Sequence, residues 1–135
     1  MSQIIKTKFS IQIHNQKKRK NRSHWDIRIL SPRKLKLWSW AIPKSHFPER
    51  GEKVLAVRTS DHKVSYLMFE GTLKNGDKVS LYDYGECDLI ITKRSNLVIR
   101  FKGKKVKEVF TFVKTQGNTS DDKWLIIRGS KTNNF

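Results

Sequence analysis

Apolar and polar residues alternate with period two along most of this chain, the spacing that places successive side chains on opposite faces of a β-strand. Phe9, Ile11 and Ile13 alternate with Ser10, Gln12 and His14, and Trp25, Ile27 and Ile29 alternate with His24, Asp26 and Arg28. The second strand therefore carries a basic, acidic, basic series on one face. Further strands are predicted over Leu37–Ile42, Lys53–Arg58, Lys78–Tyr84, Cys87–Lys93, Leu97–Lys102, Glu108–Lys114 and Trp124–Arg128. Turn formers such as Pro43, Asn75-Gly76, Gly85 and Gly103 separate them. Long helical periodicity is absent, although His62–Phe69 has room for one helical turn with Asp61 as its cap. So many short strands predict a mainly β fold, a single-domain β-barrel of short antiparallel strands with little helix. Neither an internal repeat nor a linker divides the chain. Residues 1–135 are read as one domain, with a core over about 9–128 and a flexible polar tail over 129–135.

Charge changes the picture next. Among 135 residues, 29 are Lys or Arg and 12 are Asp or Glu, a formal net charge of +17. With four Trp, seven Phe and three Tyr interleaved among these cations, the expected partner is a polyanion, nucleic acid first. Cys87 is the only cysteine, which excludes an intramolecular disulfide and favours a reducing compartment. The longest apolar run, Trp124–Ile127, is far shorter than the roughly 18 residues of a membrane span. Met1–Lys6 lacks the apolar stretch of a signal peptide, so a cytoplasmic, nucleoid-associated monomer without membrane contact is expected.

Between the first two strands, Lys17, Lys18, Arg19, Lys20 and Arg22 form a basic loop too charged to pack inward, read as a grip on a DNA backbone or as a solvated tip. His14 ends one polar strand face, and His24 and Asp26 lie on the next. If the two strands pair with these faces together, two imidazoles and a carboxylate converge, a donor set suited to a divalent transition metal. Simple surface histidines are the alternative. Arg28 follows Asp26 on the same face, about 7 Å along the strand, where its fork suits a phosphate as well as an ordinary ion pair. Lys44 is presented from a turn after Pro43. His62 and Tyr66 are spaced i, i+4 and would share one face of a helical turn, able to donate to the same phosphate.

These pieces occur in order: Phe9–His14, His24–Arg28, Ser39-Trp40-Ala41-Ile42-Pro43-Lys44, Leu55–Arg58, Asp61-His62 through Tyr66, Phe69-Glu70-Gly71, and Trp124–Arg128. In that conjunction the chain resembles the 3′-phosphoesterase domain of the DNA ligase D family, here as a stand-alone protein. The resemblance implies a manganese-dependent enzyme, or one using zinc or cobalt, that heals DNA 3′ ends. Its substrate would be a primer-template end bearing a 3′-phosphate or a terminal ribonucleotide. Ligase and polymerase would act in trans. By position, His14, His24 and Asp26 look like metal ligands, and Arg28, Lys44, His62 and Tyr66 like the catalytic phosphate pocket. Relative to the family pattern, the His14–His24 separation is lengthened by the basic loop, the glycine-rich stretch after Gly71 is shortened, and only eight residues precede Phe9. The 3′-phosphatase is accordingly expected ahead of the ribonuclease. A non-catalytic nucleic-acid-binding barrel and a metal-free ribonuclease using two histidines are the rival readings.

Overall fold

Alternation along the first strand buries Phe9 and Ile11 in the interior and turns Ser10, Gln12 and His14 outward, and the other strands repeat the device. The computed structural model describes residues 3–18, 23–115 and 122–129. Among the described residues nine strands form one sheet: β1 Ile5–Asn15, β2 His24–Leu30, β3 Leu37–Ile42, β4 Lys53–His62, β5 Gly71–Thr72, β6 Lys78–Lys93, β7 Asn96–Lys102, β8 Val109–Lys114 and β9 Lys123–Arg128. The order β1-β2-β3-β4-β9-β8-β7-β6 is closed by β1 pairing with β6, and β5 adds two residues beside β6. All pairings are antiparallel. Closure leaves no long open edge, and a barrel of eight strands is narrow enough for side chains to fill. Trp40 packs edge-on against Phe112 and Trp124, and Phe101 against Phe9 and Phe110. Burial of Cys87 in this core pushes its thiol up to about 12, so the one cysteine is an inert packing residue.

The barrel matches the expected fold class, with local corrections. The two strands predicted over Lys78–Tyr84 and Cys87–Lys93 are one continuous β6, because Gly85 does not break it. A Cβ at that position would stand 2.9 Å from the Lys102 carbonyl oxygen, so Gly85 lets neighbouring backbone approach closely instead of making a turn. The helical turn predicted over His62–Phe69 shrinks to a 3-10 turn at Val64–Tyr66, preceded by Lys63 without a side-chain cap. Asp61 is not its cap: its carboxylate pairs with Lys36 at 3.0 Å and Arg58 at 3.3 Å. β1 starts at Ile5, ahead of the expected Phe9. The tail beyond Gly129 lies outside the described residues.

One connection decides where chemistry can occur. Since β4 and β6 are separated around the barrel by β3, β2 and β1, the chain from His62 to Asp77 crosses outside them as a strap. Gln12 anchors it, donating from Nε2 to the carbonyl oxygens of Tyr66 at 3.0 Å and Phe69 at 3.2 Å. The outward polar face of β1 and β2 is thereby roofed, and Gln12 is fully buried although it points away from the core. No helix among the described residues is long and apolar enough to cross a membrane.

Candidate metal and phosphate site

In the β1–β2 pairing His14 stands opposite His24 and Gln12 opposite Asp26. One donor atom from each of His14, His24 and Asp26 lies within 4.8 Å of the other two. His24 Nε2 is 3.2 Å and His14 Nδ1 3.9 Å from Asp26 Oδ2. Ligands at about 2.0–2.2 Å from one transition metal stand roughly 3–3.5 Å apart, so this set fits such an ion with small side-chain adjustments. Two imidazoles with one carboxylate form a mixed nitrogen and oxygen donor set suited to a divalent transition metal.

Asp77, at the far end of the strap, completes the arrangement and was not among the sequence candidates. His14 Nε2 is 2.9 Å from Asp77 Oδ2. A carboxylate only accepts, so the network assigns the His14 proton to Nε2 and leaves the Nδ1 lone pair facing Asp26. Carboxylates behind metal-bound imidazoles orient them in this way. The bond from His14 and the Lys17 backbone N–H hold Asp77 below the usual carboxylate range. Gly76 before it has φ +93°, a backbone conformation that strains residues with a Cβ, so the turn that presents Asp77 favours glycine.

Arg28 differs from the open fork expected of a phosphate clamp. Its side chain is 4% exposed, and Nη2 lies 3.5 Å from Asp26 Oδ2. Nε donates to Gln12 Oε1 at 2.9 Å, and Nη1 stands 3.2 Å from His62 Nδ1. The guanidinium lies 5.0 Å from the centre of the Tyr66 ring. Burial lowers its pKa against the opposing pull of Asp26, and an arginine remains charged through such a shift. What the site contains is a fixed, roofed positive charge beside the carboxylate.

His62 reaches this face through a bulge. Between the pairs Ser39↔Thr59 and Leu37↔His62, β4 spends one residue more than β3. That extra residue reverses the alternation, so His62 joins Ser39 and Arg28 on the outer wall. Nδ1 is 2.9 Å from the Ser60 carbonyl oxygen, which only accepts, and 3.2 Å from Arg28 Nη1, which only donates; the shorter contact assigns the proton to Nδ1, so Arg28 meets it as a second donor without a hydrogen bond and the lone pair lies on Nε2. Burial first and the charge of Arg28 second depress the His62 pKa, favouring the neutral ring. Tyr66 lies over the pair, its ring 5.3 Å from His62 and stacked on Phe69. Burial raises its hydroxyl pKa.

Lys44 follows a different course. It sits on the turn after β3 with Nζ 3.3 Å from Glu52 Oε2, and no hydrogen bond or ion pair joins it to Arg28, His62 or Tyr66. In the basic loop, Lys17 and Lys18 are exposed, and Lys17 is tied to the Asp77 turn through its backbone. Arg19, Lys20 and Arg22 lie outside the described residues. A cleft of about 580 Å³ opens beside the histidines, lined by Asn15, Lys17, Ser23, Thr72 and Lys78. It is of a size that small-molecule and nucleotide sites use.

The sequence pattern of the DNA ligase D 3′-phosphoesterase domain matches residues 12–114, a stretch containing every one of these site residues. The chain belongs to the DNA ligase D 3′-phosphoesterase family. Similar full-length proteins include the multifunctional non-homologous end joining protein LigD of Mycobacterium bovis, 29% identical over 131 residues, covering 89% of this chain and 16% of that protein. LigD of Mycolicibacterium smegmatis is 29% identical over 136 residues, with 90% and 16% covered. LigD of Pseudomonas aeruginosa is 27% identical over 128 residues, with 84% and 14% covered. This 3′-phosphoesterase chain thus spans about one sixth of the length of those LigD relatives.

Proposed function

We propose that this protein is a metal-dependent DNA 3′-end phosphoesterase whose principal reaction is removal of a terminal 3′-phosphate to leave a hydroxyl for ligation. The observation that carries the reading is the convergence of His14, His24 and Asp26, next to a buried arginine and a neutral histidine, in a member of this family. The metal assigned to the three ligands is manganese, with zinc or cobalt as substitutes.

A divalent cation held there supplies Lewis acidity and lowers the pKa of bound water. The chain's own residues do the rest. Arg28, fixed by Gln12 and Asp26, sets a positive charge where the phosphate gains negative charge in the transition state, and being held in advance it needs no reorganisation. His62, with Nδ1–H on the Ser60 carbonyl, offers Nε2 as acceptor for a proton from water or from a protonated phosphate oxygen. The Tyr66 hydroxyl, kept protonated by its raised pKa, is a donor at the rim. Asp77 keeps the His14 lone pair aimed at the ligand cluster. Lys44 enters the pocket only by leaving Glu52, so we place it at the approach to the site, meeting the DNA strand. Lys17 and Lys18, with Arg19, Lys20 and Arg22, are assigned to the backbone.

The assay is a primer-template with a 3′-phosphate, incubated with manganese, with EDTA, and with EDTA followed by excess manganese. Release of phosphate at unchanged strand length, abolished and then restored, is expected. Binding without release in every arm would make the protein a non-catalytic DNA-binding barrel, and release that persists in EDTA would point to histidine acid–base chemistry without metal.

A further inference from the structure

At the end of the barrel farthest from His14 and His24, the start of β3, the end of β4, the β6–β7 turn and the start of β9 surround a cavity of about 300 Å³. Trp38, Arg58, Lys93, Arg94 and Trp124 line it. Its chemistry is one-sided. Among the described residues neither the buried Arg58 Nε–H nor the buried Trp124 indole N–H has an acceptor, and each can only donate. Trp124 is 2% exposed, so solvent does not satisfy its indole. Arg58 gives one guanidinium nitrogen to Asp61 at 3.3 Å, and its flat group covers the Trp40 ring at 4.7 Å. Lys93 and Arg94 have no acidic partner among the described residues, and the nearby Asp122 carboxylate is taken by Lys114 at 3.1 Å. Unpaired buried donors beneath unpaired cations call for an acceptor that carries negative charge.

We infer that this barrel mouth is a second phosphate-binding site, separate from the metal centre, which takes a phosphate group on Arg58, the Trp124 indole, Lys93 and Arg94. The phosphate comes either from a DNA backbone or from a small phosphorylated solute. The inference extends the DNA-end reading without depending on it.

The test uses metal-free protein and the indole N–H signals of its four tryptophans in proton–nitrogen correlation spectra, with Trp124→Phe identifying one of them. Inorganic phosphate, a mononucleotide and a six-nucleotide DNA with a 3′-hydroxyl are titrated separately. The Trp124 indole signal should move downfield in a saturable way, and in the Lys93→Ala/Arg94→Ala variant the apparent affinity should fall at least fivefold. Because no metal and no 3′-phosphate is present, this outcome is independent of turnover. Tighter binding of the six-mer identifies the backbone as the source, and equal binding of all three identifies a small solute. A Trp124 signal that stays still with every ligand, or that titrates identically in the double variant, overturns the site even if the 3′-phosphatase assay succeeds.

Discussion

Gln12 Oε1 accepts a hydrogen bond from Arg28 Nε at 2.9 Å, while the other end of the same amide donates to two strap carbonyls. One fully buried side chain thus couples the charge at the site to the roof above it. Gln12→Leu would strand the Arg28 Nε–H and the Tyr66 and Phe69 carbonyl oxygens. A buried polar group left unpaired costs about 1–3 kcal/mol, so a stability loss of about 3 kcal/mol is expected in urea unfolding. Gln12→Glu keeps an acceptor for Arg28 but cannot donate to the strap, and should lose less stability while loosening the strap to hydrogen exchange. Equal, negligible effects of both changes would show that the amide carries no load.

Much of this site was legible because it obeys strand alternation. His14, His24 and Asp26 face one another for the reason the period-two pattern implies, and the hairpin register brings them level. Gln12 gave no signal, since its strap partners are backbone carbonyls 54 and 57 residues away, and a backbone oxygen leaves no mark on composition. Asp77 read as part of an Asn-Gly-Asp turn; only the crossing of the strap carries it to His14. His62 lies beside Tyr66 as an i, i+4 pair would, but the end of an irregular strand presents it and not a helical turn. Arg28 reads as a phosphate fork or as an ion-pair partner, because sequence shows a polar face and not what covers it. Lys44, one cation among 29, pairs with Glu52 on its turn, a contact that sequence spacing does not reveal.

The depressed His62 pKa has a pH consequence with a definite sign. A folded ring that resists protonation loses nothing at high pH, while on acidification the unfolded chain takes up its proton first, near pH 6.5. Stability contributed by His62 is therefore present above that value and declines as pH falls below it. An NMR titration should place the ring's midpoint below 6.5. Tyr66→Ala, by admitting water, should raise the midpoint, and a midpoint at or above 6.5 in the native protein would remove the neutral base from the mechanism.

Asp83 provides a control away from the chemistry. Its buried carboxylate accepts from the backbone N–H groups of Tyr84, Lys104, Lys105 and Val106 at 2.8–3.0 Å, holding the β7–β8 turn. Gly103 leaves room for it, since a Cβ there would collide with Asp83 Oδ2. Asp83→Ala should destabilise the fold by about 3 kcal/mol, because several buried donors lose their acceptor at once. Manganese affinity of the folded fraction should be unchanged, and a large loss of metal binding would mean the turn and the site are coupled.

Asp77→Ala should have the opposite profile. Without its carboxylate the His14 ring is free to turn and to change tautomer, and loss of such an orienting partner costs about 10–100-fold in metal affinity. The Asp77 side chain is 13% exposed and also accepts from the solvent-accessible Lys17 N–H, so stability should fall, but by less than for Asp83→Ala. Isothermal titration with manganese measures the first effect and thermal unfolding without metal the second. Undiminished affinity would reduce Asp77 to a turn residue.

The metal assignment is tested most directly by anomalous scattering at the manganese edge from crystals soaked in manganese. One strong peak is predicted within bonding distance of His14 Nδ1, an imidazole nitrogen of His24 and Asp26 Oδ2, with Asp77 still on His14 Nε2. A peak elsewhere, with those three side chains turned apart, would contradict the account.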